Sequence, residues 1–383
     1  MKRLIAAVVA LSVAAAAANG YVKMTGLKEA VRSWLDRSKE LASSYTGEVS
    51  DESWGGDFTY DSMVTVKKDK DKDFVILNLT DTHFGDYDYR RFTALGVIFT
   101  AKQLVRKIKP DLITVSGDIV CTDSTVYSVK RFTDLMESFG VPWAPIFGNH
   151  DDEGNCDLNY LADVMLRSPH CILRKGPASM GVGNYVIGIT EEDGSGGQKL
   201  AEALVMMDSH HSACTEEQVE WFAWAAQGIN TLSGGKAEIT TMMHIPLAQY
   251  QFGCDEKWDS TKKEWKPESG AVGTYGEKIC CARDADGNPL DNGLFAEIKK
   301  AGGKYVFCGH EHLNNFSFVC DGVRLTYMMK IGKGSGFSPR LNGGTKIVVG
   351  SDGILRFSDE SILRTVLSVD DPLNERRTFK SSD

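Results

Sequence analysis

Long hydrophobic runs are missing from this sequence after its first 18 residues. A membrane-spanning helix needs about 20 mainly apolar residues, and no later segment comes near that length. A Cys-x-x-Cys pattern is also missing, which argues against a structural zinc site. Internal repeats and low-complexity tracts are absent as well. Together these absences predict a globular chain without a stable membrane anchor.

The chain has fewer positive than negative residues. It contains 43 lysines and arginines and 52 aspartates and glutamates, which gives a formal net charge of −9. Nucleic acids and anionic membranes attract basic surfaces, so this balance argues against both as main partners. One route to an anionic substrate remains open, because bound cations can dominate the local field of a site.

The first 20 residues have the form of a secretory signal peptide. The chain starts Met-Lys-Arg, residues 4–18 are apolar and rich in alanine, and Asn19-Gly20 offers a small-residue cleavage region. An uncleaved membrane anchor is the alternative, but the apolar run is short for a membrane span. We expect a secreted, periplasmic or otherwise extracytoplasmic protein.

Export would make the nine cysteines candidates for disulfides, and their odd number leaves at least one without a partner in the chain. The spacing does not determine the connectivity. Cys308 and Cys320 flank a polar loop between two apolar runs and form one candidate pair.

A chain of 383 residues with 42% hydrophobic residues can bury one large core. We divide it into a signal peptide (1–20), an N-terminal helix and leading strand (21–72), a main domain (73–364) and a polar tail (365–383). Within the main domain, residues 251–292 are rich in Gly, Lys, Asp, Trp and Cys and show no periodicity. They indicate a long surface insertion, and loops of that length are usually functional.

Three strand, loop and helix units follow one another between residues 74 and 152. Apolar strands are predicted at 74–79, 112–115 and 141–147, with helices at 91–108 and 126–139 between them. An earlier strand at 63–66 is predicted to form a hairpin with 74–79 through a charged turn. Repeated strand and helix units are typical of a parallel sheet with crossover helices, so we predict an α/β protein.

Five predicted strands end in polar loops with groups that bind metals. These loops supply Asp81 and His83, Asp118, Asn149 and His150, His244, and His310 with His312. The carboxyl ends of strands form the crevice in which open α/β sheets bind ligands. The oxygen and imidazole donors suit borderline divalent metals, and they suffice for two ions that share a carboxylate.

In order along the chain, these residues form the motifs Asp-x-His, Gly-Asp, Gly-Asn-His-Asp, a lone His and Gly-His-x-His. The series resembles the calcineurin-like metallophosphoesterase family, over residues 81–312. The resemblance implies a four-layer α/β/β/α sandwich of mixed sheets, with a dinuclear site at the carboxyl ends of the strands. Flanking segments such as Gly183-Asn184-Tyr185 and Asp208-Ser209 look more narrowly similar to the branch related to purple acid phosphatases.

The resemblance implies a metal ligand set. One ion would take Asp81, His83 and His312, the other would take Asn149, His244 and His310, and Asp118 would bridge the two. Bound ions would polarise the phosphoryl oxygens and generate a bridging hydroxide that attacks phosphorus in line.

Further residues are given roles by the same resemblance. His150 would stay off the metals and would stabilise the developing charge or protonate the leaving group. Asp151 or Asp152 could fix the orientation of that imidazole. His210 and His211 are candidates for substrate contacts, and ordinary loop residues are the alternative.

Two positions depart from the purple phosphatases, in which the first motif has Gly instead of His and a Tyr three residues after the bridging Asp binds ferric iron. Here His83 fills the first position and Cys121 stands at the second. An imidazole supplies no phenolate charge, so the first site should tolerate divalent iron, manganese or zinc. We expect a protein that is not purple, with two divalent or mixed-valence ions as cofactors.

The leading hypothesis is a secreted dinuclear phosphomonoesterase that acts on small-molecule phosphoesters. A phosphodiesterase or nucleotidase with the same site is the nearest alternative, because the motifs do not identify the leaving group. A noncatalytic interaction scaffold of the same fold is the alternative from another class. Every ligand position is filled in this chain, which favours the enzyme.

Overall fold

The computed structural model describes residues 45–85, 93–121, 125–332 and 336–370. The predicted signal peptide and nearly all of the predicted N-terminal helix lie outside the described residues, so export stays a prediction. Within the described ranges, no helix combines the length and the apolar character that crossing a membrane requires.

The first of two large sheets has six strands in the order β15, β14, β13, β2, β3, β4. Strands β2, β3 and β4 are parallel, and β13, β14 and β15 extend the sheet as antiparallel neighbours. The strands are β2 (Phe74–Leu79), β3 (Leu112–Ser116), β4 (Trp143–Ile146), β13 (Gly344–Val349), β14 (Leu355–Glu360) and β15 (Thr365–Val369). The helices of this half are α1 (Thr93–Ile108), α2 (Thr125–Glu137) and α3 (Leu158–Leu166).

The second sheet has seven strands in the order β1, β5, β6, β7, β10, β12, β11 and also mixes parallel and antiparallel pairs. The strands are β1 (Val64–Lys67), β5 (Tyr185–Glu192), β6 (Gln198–Met206), β7 (Glu238–Met242), β10 (Tyr305–Cys308), β11 (Ser317–Cys320) and β12 (Val323–Tyr327). Helices α4 (Glu216–Ser233), α5 (Ala248–Lys257) and α6 (Leu294–Lys300) accompany it, and β8 (Trp258–Asp259) pairs with β9 (Glu264–Trp265) in a separate hairpin.

Strand β10 shows how the layers pack. Its Tyr305 and Phe307 belong to the core that both sheets share, and the Phe307 ring lies 5.3 Å from the ring of Phe357 in the first sheet. Val306 and Cys308 point to the opposite face, into a second core with α4, α5 and α6. Side chains alternate between the faces of a strand, so one apolar strand serves two cores. The predicted α/β/β/α sandwich of mixed sheets is confirmed.

Capping residues mark both ends of helix α4. The Thr215 side chain accepts from the backbone N–H of Gln218, and the Gln218 side chain accepts from the backbone N–H of Thr215, which forms a capping box. Gly234 ends the helix with a left-handed backbone. A side-chain cap contributes about 1 kcal/mol to helix stability, so these ends stabilise the connection between β6 and β7.

The predicted hairpin between 63–66 and 74–79 is wrong. Strand β1 pairs with β5 in the second sheet, whereas β2 lies between β13 and β3 in the first. Strand β2 is almost entirely buried and therefore needs a partner on each side, while β1 alternates between half-buried and exposed residues as an edge strand does. A charged turn between two strands does not require that they pair.

Two other segments differ from their prediction. The first five residues of the predicted polar tail form β15, which closes the edge of the first sheet beside β14. The insertion 251–292 contains the end of α5 and the β8–β9 hairpin, because Cys254 and Trp265 pack into the second core. The candidate disulfide is also wrong, since Cys308 and Cys320 are both free thiols.

A buried carboxyl group on β14 gives the fold a pH dependence. Asp359 accepts hydrogen bonds from the Thr345 hydroxyl (2.6 Å) and the Asn315 amide (3.0 Å), and burial raises its pKa to about 7. Between about pH 4 and pH 7 the unfolded chain has lost this proton and the native chain retains it, so the free energy of unfolding falls as the pH rises.

We predict that Asp359→Asn reduces the pH-dependent fall in the free energy of unfolding by up to about 4 kcal/mol, because each unit of pKa shift corresponds to about 1.4 kcal/mol. Denaturant titrations from pH 4 to pH 8 measure the effect, with exposed Asp286→Asn as the matched control. Parallel stability profiles for wild type and Asp359→Asn would show that the carboxyl group is not protonated in the native state.

Candidate metal centre

The carboxyl ends of β2, β3, β7 and β10 bring six predicted ligands into two groups. The first group is Asp81, His83, Asp118 and His312, and the second is Asp118, His244 and His310. Within each group, one ligand atom from every residue lies within 4.8 Å of all the others. Asp118 belongs to both groups, so the two clusters share one carboxylate.

The first group is compact enough for one ion. The Nε2 atoms of His83 and His312 are 3.1 Å apart, and His312 Nε2 lies 3.4 Å from Asp81 Oδ1. His83 Nε2 is 3.6 Å from Asp118 Oδ2. Two imidazole nitrogens and two carboxylate oxygens therefore converge, which suits a borderline divalent metal.

The second group and the neighbouring Asn149 contain polar atoms that the protein leaves unsatisfied. His244 Nε2 lies 3.2 Å from Asp118 Oδ2, yet neither atom has a hydrogen-bond partner. His310 Nδ1 and Asn149 Oδ1 are also buried without one. Leaving a buried polar atom unsatisfied costs about 1 to 3 kcal/mol, so four such atoms need a common explanation. A bound cation fits them, because each offers a lone pair.

Asn149 lies directly beside the shared carboxylate. The backbone N–H of its neighbour His150 donates to Asp118 Oδ1 at 3.0 Å. On its other side, a Cβ atom at Gly148 would stand 2.3 Å from the same Asp118 oxygen. The Gly-Asn-His-Asp motif thus needs a glycine because its backbone packs closely against Asp118. Asn149 therefore lies with the other six predicted ligands at one end of the sandwich.

The backbone at four predicted ligands is strained. Asp81, His83, Asp118 and His310 have φ values of 54°, 41°, 50° and 82°, in the left-handed region that favours glycine. Such a conformation costs about 1 to 3 kcal/mol for each residue and persists only where the surroundings impose it. All four residues belong to the two ligand groups, so this strain lies at the predicted metal centre.

Charge and burial set the protonation of the histidines. Burial lowers the pKa of His83 to about 3 and that of His310 to about 4, so both rings are neutral, as metal ligands must be. Burial also acts to lower the pKa of His244, but Asp118 and Asp81 raise it to about 10. The buried carboxylates thus attract positive charge, and a metal ion would replace that proton.

Several residues that no motif marks hold the ligands in place. His244 Nδ1 donates to the Ser116 carbonyl at 2.9 Å, which fixes the ring and leaves Nε2 towards Asp118. The buried Lys330 ammonium donates to the Asp81 carbonyl at 2.7 Å. Glu277, from the insertion, accepts from the backbone N–H of His312 at 2.9 Å. A lysine in an apolar segment and a glutamate in an irregular one give no sequence signal.

His150 lies at the edge of the first group and does not belong to it. Its ring is 5.3 Å from that of His83, and 37% of its side chain is exposed. Its Nδ1 atom lies 2.8 Å from Glu153 Oε2. An imidazole that is partly open to solvent, with one nitrogen beside a carboxylate, can present the other nitrogen to a substrate.

The carboxylates of Asp151 and Asp152 contact groups other than the His150 ring, so the orienting role predicted for them stays a prediction. The buried Asp151 carboxylate accepts from the backbone N–H groups of Val120 (2.8 Å) and Gly148 (2.7 Å), so it joins the loops that carry Asp118 and Asn149. Asp152 contacts His211 Nε2 at 3.0 Å. The carboxylate beside His150 belongs to Glu153, one turn further along the loop.

His210 and His211 follow β6, at the same end of the sandwich. His210 Nε2 donates to the Gln218 side-chain oxygen at 3.1 Å, and its backbone N–H donates to Asp208 at 2.8 Å. His211 is mostly exposed and bonds to Asp152. Neither hydrogen-bonds to a predicted ligand, so their role in substrate contact stays a prediction. Cys121 belongs to neither metal-binding group.

The contact between His150 and Glu153 predicts a small effect of Glu153 on the rate of hydrolysis. Both side chains are partly exposed, and exposed ion pairs contribute about 0.2 to 1 kcal/mol. Glu153→Gln should therefore lower kcat for a phosphomonoester by about two- to fivefold, because the imidazole loses its orienting charge. Asp152→Asn is the control on the same loop. A loss above a hundredfold would mean that Glu153 acts on the substrate directly.

Several known proteins are similar to this chain. Probable inactive purple acid phosphatase 14 of Arabidopsis thaliana is 24% identical over 296 residues, covering 66% of this chain and 69% of the plant protein. Phosphatase DCR2 of Saccharomyces cerevisiae is 22% identical over 274 residues, covering 63% of this chain and 44% of the yeast protein. A solved dimetal phosphatase from Danio rerio has a TM-score of 0.49 at 10% identity, covering 78% of this chain and 99% of the fish protein.

The family model for calcineurin-like phosphoesterase matches residues 74–314, which is more than half of the chain. That range contains both metal-binding groups, Asn149 and His150. The chain belongs to the calcineurin-like phosphoesterase family.

Proposed function

We propose that this protein is a metal-dependent phosphomonoesterase that binds two metal ions and hydrolyses small-molecule phosphoesters. The observation that carries the proposal is the position of Asp118. Its buried carboxylate belongs to both groups of converging ligand atoms. A single carboxylate between two sets of imidazole ligands favours two cations close together, which is the arrangement that phosphate ester hydrolysis uses.

The remaining residues of the site bind, orient and transfer protons. Bound metal ions would polarise the phosphoryl oxygens and lower the pKa of a water molecule. Asp151 holds the Asp118 and Asn149 loops together through two backbone N–H groups, and Lys330 holds the Asp81 backbone. His150 is placed outside the ligand set, where it can stabilise charge on the ester or protonate the leaving oxygen.

The features of this site favour an active enzyme over a noncatalytic scaffold, although the plant relative is named as probably inactive. A scaffold has no need for converging ligands, a strained backbone at four of them, or unsatisfied buried atoms at four positions. Each of these features costs stability. A protein that binds no metal would be expected to lose them.

The metals are proposed to be divalent iron, manganese or zinc. His83 stands in the first group, and Cys121 belongs to neither group. No phenolate is available from these two positions to select a ferric ion. A purified protein without an intense visible absorption band is the expected result.

Hydrolysis of a substrate panel tests the proposed function. Apo protein is loaded with manganese, zinc or ferrous iron in turn and assayed on phosphomonoesters and phosphodiesters that share a leaving group. We expect metal-dependent release of phosphate, with monoesters preferred. Absence of hydrolysis with every metal would overturn the proposal, and a preference for diesters would assign the alternative activity.

A further inference from the structure

The insertion forms an aromatic pocket beside the metal centre. We call it the insertion pocket and define it by Trp258, Trp265, Tyr275, Glu277 and Lys278, which line a cavity of about 720 Å³. The Trp265 and Tyr275 rings stack with an interplanar angle of 26° and a separation of 5.9 Å. The Trp258 ring packs edge-on against both. All three rings are half-buried, so part of each is open to a ligand.

Glu277 connects this pocket to the metal-binding loop. It lines the cavity and also accepts hydrogen bonds from the backbone N–H groups of His312 (2.9 Å) and Leu313 (3.2 Å). Asn314 fixes the same segment, because its side-chain oxygen accepts from Gly276 and Glu277. One residue of the pocket wall is therefore in direct contact with the backbone of a predicted ligand.

The insertion pocket adjoins the loop that carries His312, and His312 and His150 both lie next to His83. The His83 ring is 4.9 Å from the His312 ring and 5.3 Å from the His150 ring, so His312 and His150 adjoin the same ligand. The pocket begins next to His312. Contacts therefore run from the pocket wall through Glu277 to His312, a member of the first metal-binding group.

The chemistry of the lining indicates what that organic part is. The charged residues of the cavity are Lys263, Glu264, Glu277 and Lys278, two of each sign. A balanced lining does not select a strongly charged group. Half-exposed indole and phenol rings bind flat apolar surfaces by stacking, and planar heterocycles are the best partners for them.

We propose that the insertion pocket is a substrate subsite that binds a neutral, planar heterocyclic or aromatic group of the phosphoester. This inference rests on the proposed function and narrows it, since it assigns a preference for nucleoside-like monoesters over small alkyl phosphates. The insertion supplies the subsite, and the metal centre supplies the chemistry.

Adenosine 5′-monophosphate and ribose 5-phosphate test the subsite, because both are primary phosphate esters of the same sugar and only one has a base. We expect the metal-loaded full chain to prefer the nucleotide by about tenfold or more in kcat/KM. Trp258→Leu should bring this ratio close to one without changing kcat/KM for ribose 5-phosphate. Trp258→Phe, which retains a planar ring, should preserve most of the preference.

Trp224→Leu is the matched control, because Trp224 is a half-buried tryptophan of α4 that packs on Trp54 and Phe58 instead. Quenching of tryptophan fluorescence by adenosine measures binding without hydrolysis and should be lost in Trp258→Leu only. Equal hydrolysis of both esters by the wild type, or equal effects of the two leucine variants, overturns the subsite and leaves the proposed function intact. If no ester is hydrolysed, the proposed function fails, and the adenosine titration alone decides for or against the pocket.

Discussion

Asp118→Asn is expected to lower kcat/KM for a phosphomonoester by at least about 10³-fold and to leave fewer than two metal ions bound to each chain. The Asp118 carboxylate is shared by both ligand groups. It is also buried, and although burial opposes its ionisation, His244 and His83 hold its pKa below the ordinary range. A neutral amide cannot balance two cations, and loss of about 4 kcal/mol of electrostatic stabilisation corresponds to this fall in rate.

Metal content and hydrolysis should be measured on the same preparation of the Asp118→Asn variant. Asp134→Asn is a matched control, because Asp134 is an exposed aspartate of α2 that pairs with Lys130. Circular dichroism establishes whether each variant is folded. Full activity with two metal ions in Asp118→Asn would show that the shared carboxylate is not the bridge.

His150→Asn is expected to keep both metal ions and to lose rate in a way that depends on the leaving group. Its ring lies outside both ligand groups, so metal binding should not change. If the imidazole supplies a proton, its loss should cost about 10² to 10⁴-fold for alkyl esters, whose alkoxides leave poorly. Aryl esters with activated leaving groups need less help and should lose less.

A series of alkyl and aryl phosphates, assayed with His150→Asn and wild type under the same metal loading, measures this dependence. His170→Asn serves as the control, since His170 is a half-exposed histidine that pairs with Glu137 away from the ligands. A loss of equal size across the whole series would contradict proton donation by His150. Stabilisation of charge on the phosphoryl group would then be the remaining role for this imidazole.

The order of β2, β3 and β4 and the residues at their ends could be predicted from the sequence, because both depend on local patterns. Apolar strands that end in polar loops predict a parallel sheet, and parallel strands bring their carboxyl ends to one edge. The glycines of the motifs are required by close packing. A Cβ at Gly117 would stand 2.5 Å from the His244 ring, so the Gly-Asp motif needs a glycine to pack against a residue distant in sequence.

The errors concern contacts between distant segments. Proximity in sequence predicts that β1 pairs with β2, whereas the buried strand β2 pairs with β13 on one edge and β3 on the other. Asp151 is adjacent to His150 in sequence, but its carboxylate turns inwards to two backbone N–H groups. Lys330 and Glu277 contact the backbone of predicted ligands that are distant in sequence, so no motif spacing predicts these contacts.

Metal stoichiometry of the wild-type protein, measured together with its hydrolysis of a phosphomonoester, tests the central claim most directly. Metal-free protein is titrated with a single divalent metal while bound ions per chain and phosphate release are recorded. We predict two ions bound to each chain, hydrolysis that appears as the sites fill, and loss of both on chelation. Full hydrolysis by metal-free protein, or two bound ions without hydrolysis of any phosphoester, would contradict the account.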